Sequence, residues 1–106
     1  MRPGIAIAIL SLFVLTGVAA AADSAAEKTI FTSKCGICHG ADGMGKTAIG
    51  KNLKIKDLHS AEVQKQSDSE LKGIITNGRN KMPAFKGKLT GAQLDDVVAF
   101  IRGLEK

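Results

Sequence analysis

Both cysteines of the 106-residue chain fall in one pentapeptide, Cys35-Gly36-Ile37-Cys38-His39. At the end of a helix, Cys35, Cys38 and His39 stand at i, i+3 and i+4 and share one side. Two thiols and an imidazole so placed can add to the two vinyl groups of a haem while the imidazole reaches the iron, the reading that Cys-x-x-Cys-His carries. They can also cycle between dithiol and disulfide, but that chemistry expects a βαβ setting, and no alternating strand pattern is present. A zinc cage wants four ligands; only His59 could complete the set, and adjacent Cys38 and His39 would strain the tetrahedron. A plain structural disulfide is the fourth reading. Covalent haem on Cys35 and Cys38, with His39 as one iron ligand, is the expectation.

A second axial ligand must come from elsewhere. His59 is flanked by Lys56, Asp57, Ser60 and Glu62, the signature of solvated surface at a helix start. Of the methionines, Met1 opens the chain and Met44 is only five residues from His39, too near to reach across a porphyrin. Met82 lies before Pro83 in a loop that follows Asn77-Gly78, where a soft thioether can be presented to iron. Met82 is therefore the expected sixth ligand, with plain core packing as the alternative for a methionine.

The eight residues Gly40-Ala41-Asp42-Gly43-Met44-Gly45-Lys46-Thr47 match the phosphate-binding pattern G-x-x-x-x-G-K-[ST]. That loop works only between a buried strand and a helix of a parallel sheet. Here it follows the cysteine motif directly, and a Gly-rich loop is the expectation.

The elements that must position these residues are helical. Ser24-Ala25-Ala26-Glu27, Ser67-Asp68-Ser69-Glu70 and Thr90-Gly91-Ala92-Gln93 each fit the capping box that opens a helix. Helical apolar spacing follows each: Ile30, Phe31 and Cys35; Leu71, Ile74 and Ile75; then Leu94, Val97, Val98 and Ile101. Asn77-Gly78 and Gly103 predict helix ends, and a short helix is expected from near Ser60 to about Lys65. The intervening stretches, Gly40 to Asp57 and Arg79 to Leu89, are long for a small domain unless they wrap a cofactor. The fold class expected is all-α, three to five helices around one haem.

Residues 1–22 stand apart. Arg2, an apolar run from Ile5 to Val18 and the small residues Ala19 to Ala22 predict a secretory signal peptide cut after Ala22, leaving a domain of residues 23–106. An uncleaved anchor is the rival, since the run approaches the length of a spanning helix; with cleavage, no stable membrane insertion is expected. The remaining chain has no Trp or Tyr and is small for a self-sufficient core, so a cofactor is expected to complete it. The balance of 15 basic to 10 acidic residues, net +5, admits nucleic acid, anionic membrane or an acidic protein. Scattered lysines without interleaved aromatics speak against nucleic acid, as export does. An acidic redox protein is the expected partner, met through Lys46, Lys51, Lys54, Lys56, Lys81, Lys86 and Lys88.

With the motifs in place, the chain resembles the small single-haem class I c-type cytochromes, the carriers of bacterial periplasms and photosynthetic lumens. Phe31, the Cys35–His39 motif, Asn77-Gly78, Met82-Pro83-Ala84-Phe85 and Phe100 fall in that family's order and rough spacing, across the chain beyond residue 22. The resemblance implies His39 and Met82 as axial ligands and a contact between first and last helices near Phe31 and Phe100. It implies a monomeric electron carrier, not an enzyme, exported to the periplasm or an equivalent compartment. Two departures stand out. Gly50-Lys51-Asn52-Leu53 replaces the family's Gly-Pro-x-Leu, whose backbone carbonyl steadies the histidine; a backbone acceptor can survive that change. The Trp or Tyr that many members use to hold a haem carboxylate is absent.

Overall fold

The computed structural model describes residues 3, 4, 6, 8–12 and 19–105. Five helices follow one another: α1 (Ala19–His39), α2 (Ala48–Asn52), α3 (Ala61–Gln64), α4 (Asp68–Asn77) and α5 (Gly91–Gly103). Extended pairing among the described residues is limited to a single bridge between Arg79 and Met82. The all-α expectation holds.

Two of the three capping boxes open helices as expected. Ser67 takes the Glu70 N–H at 3.0 Å, and Thr90 and Gln93 make the reciprocal pair. The Ser24 box does not, because α1 already begins at Ala19 and Ser24 lies in its interior. The cause is local: four alanines, the best helix formers, run straight into Asp23 with nothing to stop the helix. The expected cut after Ala22 thus falls within α1; most of the expected leader lies outside the described residues. Gly78 ends α4 with φ 74°, as glycine allows. Gly103 does not end α5 in that way, since Leu104 in ordinary right-handed geometry caps it. α3, capped by Ser60, matches the short helix expected there.

α1 packs chiefly on α5. Phe31 is 1 % exposed and stacks on Phe100, with ring centroids 4.3 Å apart, which is the contact the resemblance implied. Leu71 and Ile75 of α4, Val97, Val98 and Ile101 of α5, Val63 of α3 and Leu58 just before it complete the buried set, with Cys35 among them. Among the described residues no polar or charged residue is fully buried, His39 being partly so. Two side chains brace the smaller helices. Gln64 donates to the carbonyls of Leu58 and Ile101 at 2.9 and 2.8 Å. Arg102 reaches Asp68 and the backbone carbonyls of Gln64 and Gln66, locking the α3–α4 link to the end of α5.

Candidate haem site

α1 ends where its chemistry begins. Its last four carbonyls, which no further helical turn can satisfy, all find donors in the next eight residues. Gly40 N–H reaches the Gly36 carbonyl at 2.8 Å, and Gly45 N–H reaches that of His39 at 2.8 Å. The Thr47 hydroxyl takes those of Ile37 and Cys38, at 3.0 Å each. Gly40, Gly43 and Gly45 all have positive φ, which lets the chain fold back this tightly. The phosphate-loop lookalike is therefore a helix cap. Its Gly40, Gly43, Met44 and Gly45 amides are spent on Gly36, Gly40, Asp42 and His39, so they cannot cradle an anion.

The same fold-back builds a helix that the sequence pattern missed. Thr47 accepts the Gly50 N–H at 2.9 Å and caps α2. Lys51 N–H bonds the Thr47 carbonyl at 2.8 Å, a bond a proline there could not make. The Gly50 and Lys51 carbonyls are then engaged by Ile55 and Lys54. The backbone acceptor expected for the histidine is not in place: among the described residues, His39 Nδ1 is buried without a hydrogen-bond partner. Burial also lowers the His39 pKa below the usual histidine range, which favours the neutral ring.

α4 and its sequel present the other half of the site. After Gly78, residues Arg79 and Met82 exchange backbone hydrogen bonds of 3.1 and 2.9 Å, and Asn80 takes the left-handed conformation at φ 53°. Phe85 and Lys86 then donate to the carbonyls of Ile75 and Thr76 at 3.0 Å each, pinning the loop to α4. A side chain on Gly78 would meet the Met82 carbonyl at 2.7 Å, so glycine is required by approach as well as by φ.

Between these halves opens a cavity of about 450 Å³, within the range of cofactor pockets. Cys35, Cys38, His39 and Met82 all line it, over a floor of Phe31, Leu71, Ile75, Val97 and Ile101. His59 and Met44 do not line it; His59 Nδ1 instead meets Asp57 at 2.6 Å. Both cysteines are free thiols. Burial first, and the neighbouring Cys38 second, push the Cys35 thiol up to about 11, so it is protonated at neutral pH.

The comparisons decide the family. The family model of subunit III of cbb3-type cytochrome c oxidase matches residues 22–101. The chain is 39% identical to cytochrome c6 of Nostoc sp. over 89% of its own length and 82% of that protein's. To cytochrome c6 of Synechocystis sp. it is 37% identical, over 85% and 72%. The solved structure of the KustC0563 c-type cytochrome superposes with a TM-score of 0.69 at 33% identity, over 76% of this chain and 98% of that one. The chain belongs to the class I c-type cytochromes. This cytochrome is accordingly an electron-transfer protein rather than an enzyme, and carries one covalently attached haem c. The cavity fits that group. It offers two free thiols in the right spacing, a neutral imidazole, a thioether and an apolar floor.

The mouth of the cavity differs from the sequence reading. Of the seven lysines expected there, only Lys56 and Lys81 line it; Lys34 and Arg79, which were not expected, do so as well. Lys86 lines a separate hollow of about 150 Å³, and Lys88 lies over the Phe85 ring. Glu62 is the one carboxylate lining the cavity, and it pairs with Lys56. Among the described residues no ion pair engages Lys34, Arg79 or Lys81. Ile37, inside the cysteine motif, stands 70% exposed at this edge. A helical wheel could have found Lys34, four residues before Cys38 and so on its face.

Proposed function

We propose that this cytochrome is an exported carrier whose haem is tethered by Cys35 and Cys38 and whose iron is held between His39 and Met82. The observation that carries the reading is the convergence of these four side chains, from both ends of the chain's helical core, on one apolar cavity that His59 and Met44 do not line. When bound, the haem iron supplies a one-electron ferrous–ferric couple. The chain's residues set its conditions. Neutral His39 keeps a nitrogen lone pair available for iron. Met82 would offer the iron a soft thioether, which would raise the potential and keep small ligands off. Phe31, Val97 and Ile101 keep water from the buried side.

Residues 1–22 act in this proposal as a signal peptide, cut to leave a monomeric domain of residues 23–106 in the periplasm or an equivalent compartment. Among the described residues no helix is long and apolar enough to cross a membrane. Once Ala19–Ala22 are removed, Ser24 and Glu27 are free to cap the shortened α1.

A carrier and a ligand-binding enzyme or sensor separate in one experiment. The reduced holoprotein should titrate as a single one-electron couple and leave added carbon monoxide unbound over minutes. Immediate, stoichiometric carbon monoxide binding would make the site a ligand-binding one.

The partner in this proposal is a redox protein with an acidic docking face. Lys34, Arg79 and Lys81 along the cavity attract it, and the exposed Ile37 supplies an apolar contact. Steering by such charges fades as salt shortens the Debye length. Oxidation by anionic hexacyanoferrate(III) should slow as ionic strength rises, and oxidation by cationic tris(phenanthroline)cobalt(III) should quicken. Lys81→Glu should weaken both trends, whereas Lys86→Glu should weaken them less. Rates indifferent to salt with both reagents would leave the lysines as solubility residues.

A further inference from the structure

Among the described residues, Thr47 is the one side chain that hydrogen-bonds the carbonyls at the end of α1 beside Cys38 and His39. Its single hydroxyl proton is shared between the carbonyls of Ile37 and Cys38, each 3.0 Å away, and the same oxygen accepts the Gly50 N–H. Backbone amides satisfy the other two carbonyls at the end of α1; these two depend on a side chain. The contact is close-packed around it. Gly50 is buried, and a Cβ there would lie 2.5 Å from the Cys38 carbonyl. The imidazole of the next residue has no hydrogen-bond partner of its own at Nδ1. Apart from its tilted contact with the Phe31 ring, at 6.3 Å between centroids, His39 is placed by the backbone that carries it, and Thr47 holds two carbonyls of that backbone.

The carbonyls in question also carry charge. The unsatisfied C=O groups at a helix C-terminus make that end partially negative. A negative potential beside the iron stabilises its ferric form. Donors on those carbonyls drain the potential away.

We propose that Thr47 is a positioning residue for the axial histidine, fixing the Ile37–His39 turn and, by occupying its carbonyls, holding the reduction potential up. The proposal rests on the reading that Cys38 and His39 bind the haem. It gives the Gly40–Thr47 segment, with its phosphate-loop appearance, a task in electron transfer.

The test compares holoproteins of the wild type, Thr47→Val, Thr47→Ser and Thr90→Ala. The last removes the α5 cap and serves as a purely structural control. Melting temperature, reduction potential and the haem-methyl resonances of the ferric protein are measured on each. Thr47→Val and Thr90→Ala should both melt lower. Only Thr47→Val should shift the methyl pattern and lower the potential, and Thr47→Ser should restore both. Should Thr47→Val not accumulate with haem, Thr47→Ala removes the same hydroxyl with less added bulk and is expected to behave likewise. A valine or alanine variant that melts lower yet keeps the wild-type methyl pattern and potential would reduce Thr47 to a helix cap. So would a serine variant displaced as far as the valine one. Absence of covalent haem from the wild type would instead remove the reading beneath the proposal.

Discussion

Replacing Met82 with alanine opens the iron. The thioether is presented by a turn that Gly78, Asn80 and two reciprocal backbone hydrogen bonds hold, and among the described residues no methionine or histidine other than His39 lines the cavity with it. The vacated position falls to water or an added ligand. If the thioether holds the iron by about 3 kcal/mol, the open fraction in the wild type is about one in a hundred, and apparent affinity for added imidazole rises about a hundredfold on its removal. The potential falls, because the Met ligand that raised it is gone, and the weak red absorption band of iron–thioether ligation disappears. The control is His59→Ala, which should leave all three unchanged because His59 is turned to Asp57. If the histidine variant produced these changes and the methionine variant did not, the axial assignment would be wrong.

Gly50→Ala should be the most damaging single methyl group in the site. The added Cβ would lie 2.4 Å from the Gly45 carbonyl and 2.5 Å from that of Cys38, both backbone atoms that cannot swing aside. Relief requires α2 to move off the end of α1, breaking the Thr47 hydrogen bonds and loosening the turn that carries Cys38 and His39. Overpacking of this kind costs about 3 kcal/mol. For a domain of this size that lowers the melting temperature by roughly 12 °C or more. Gly73→Ala is the matched control, since a methyl group there meets nothing within 4 Å and lies in a helix that alanine favours. Equal melting temperatures for the two variants would mean that α2 and α1 are not packed as described.

What the sequence made legible was carried by short-range physics. The Cys35–His39 pentapeptide fixes its own geometry once it is helical. Ser67 with Glu70 and Thr90 with Gln93 mark helix starts through hydrogen bonds three residues long, and Gly78 marks an end through its own φ. The pairing of Phe31 with Phe100 came from the family resemblance, not from any periodicity. What stayed hidden depended on partners distant in sequence. α2 is five residues long and exists because Thr47 and Gly50 dock on the end of α1, so its apolar pattern carries no signal of its own. Ser24 misled because a capping box says where a helix can start, while the alanines before it let the helix start earlier. Lysines counted by loop gave only part of the rim, Lys56 and Lys81, for only folding shows that Lys34 and Arg79 line the cavity while Lys86 lines a separate hollow.

The most direct test of the account is where the haem goes when the protein is unfolded. The holoprotein, produced with its N-terminal segment in a bacterium that matures c-type cytochromes, is extracted with acidified organic solvent, and both phases and the tryptic peptides are analysed. The account predicts that the haem stays with the protein, one per chain, on a peptide containing Cys35 and Cys38, and that Cys35→Ala with Cys38→Ala abolishes its retention. Haem recovered wholly in the solvent, or zinc bound to the two cysteines in its place, would contradict it.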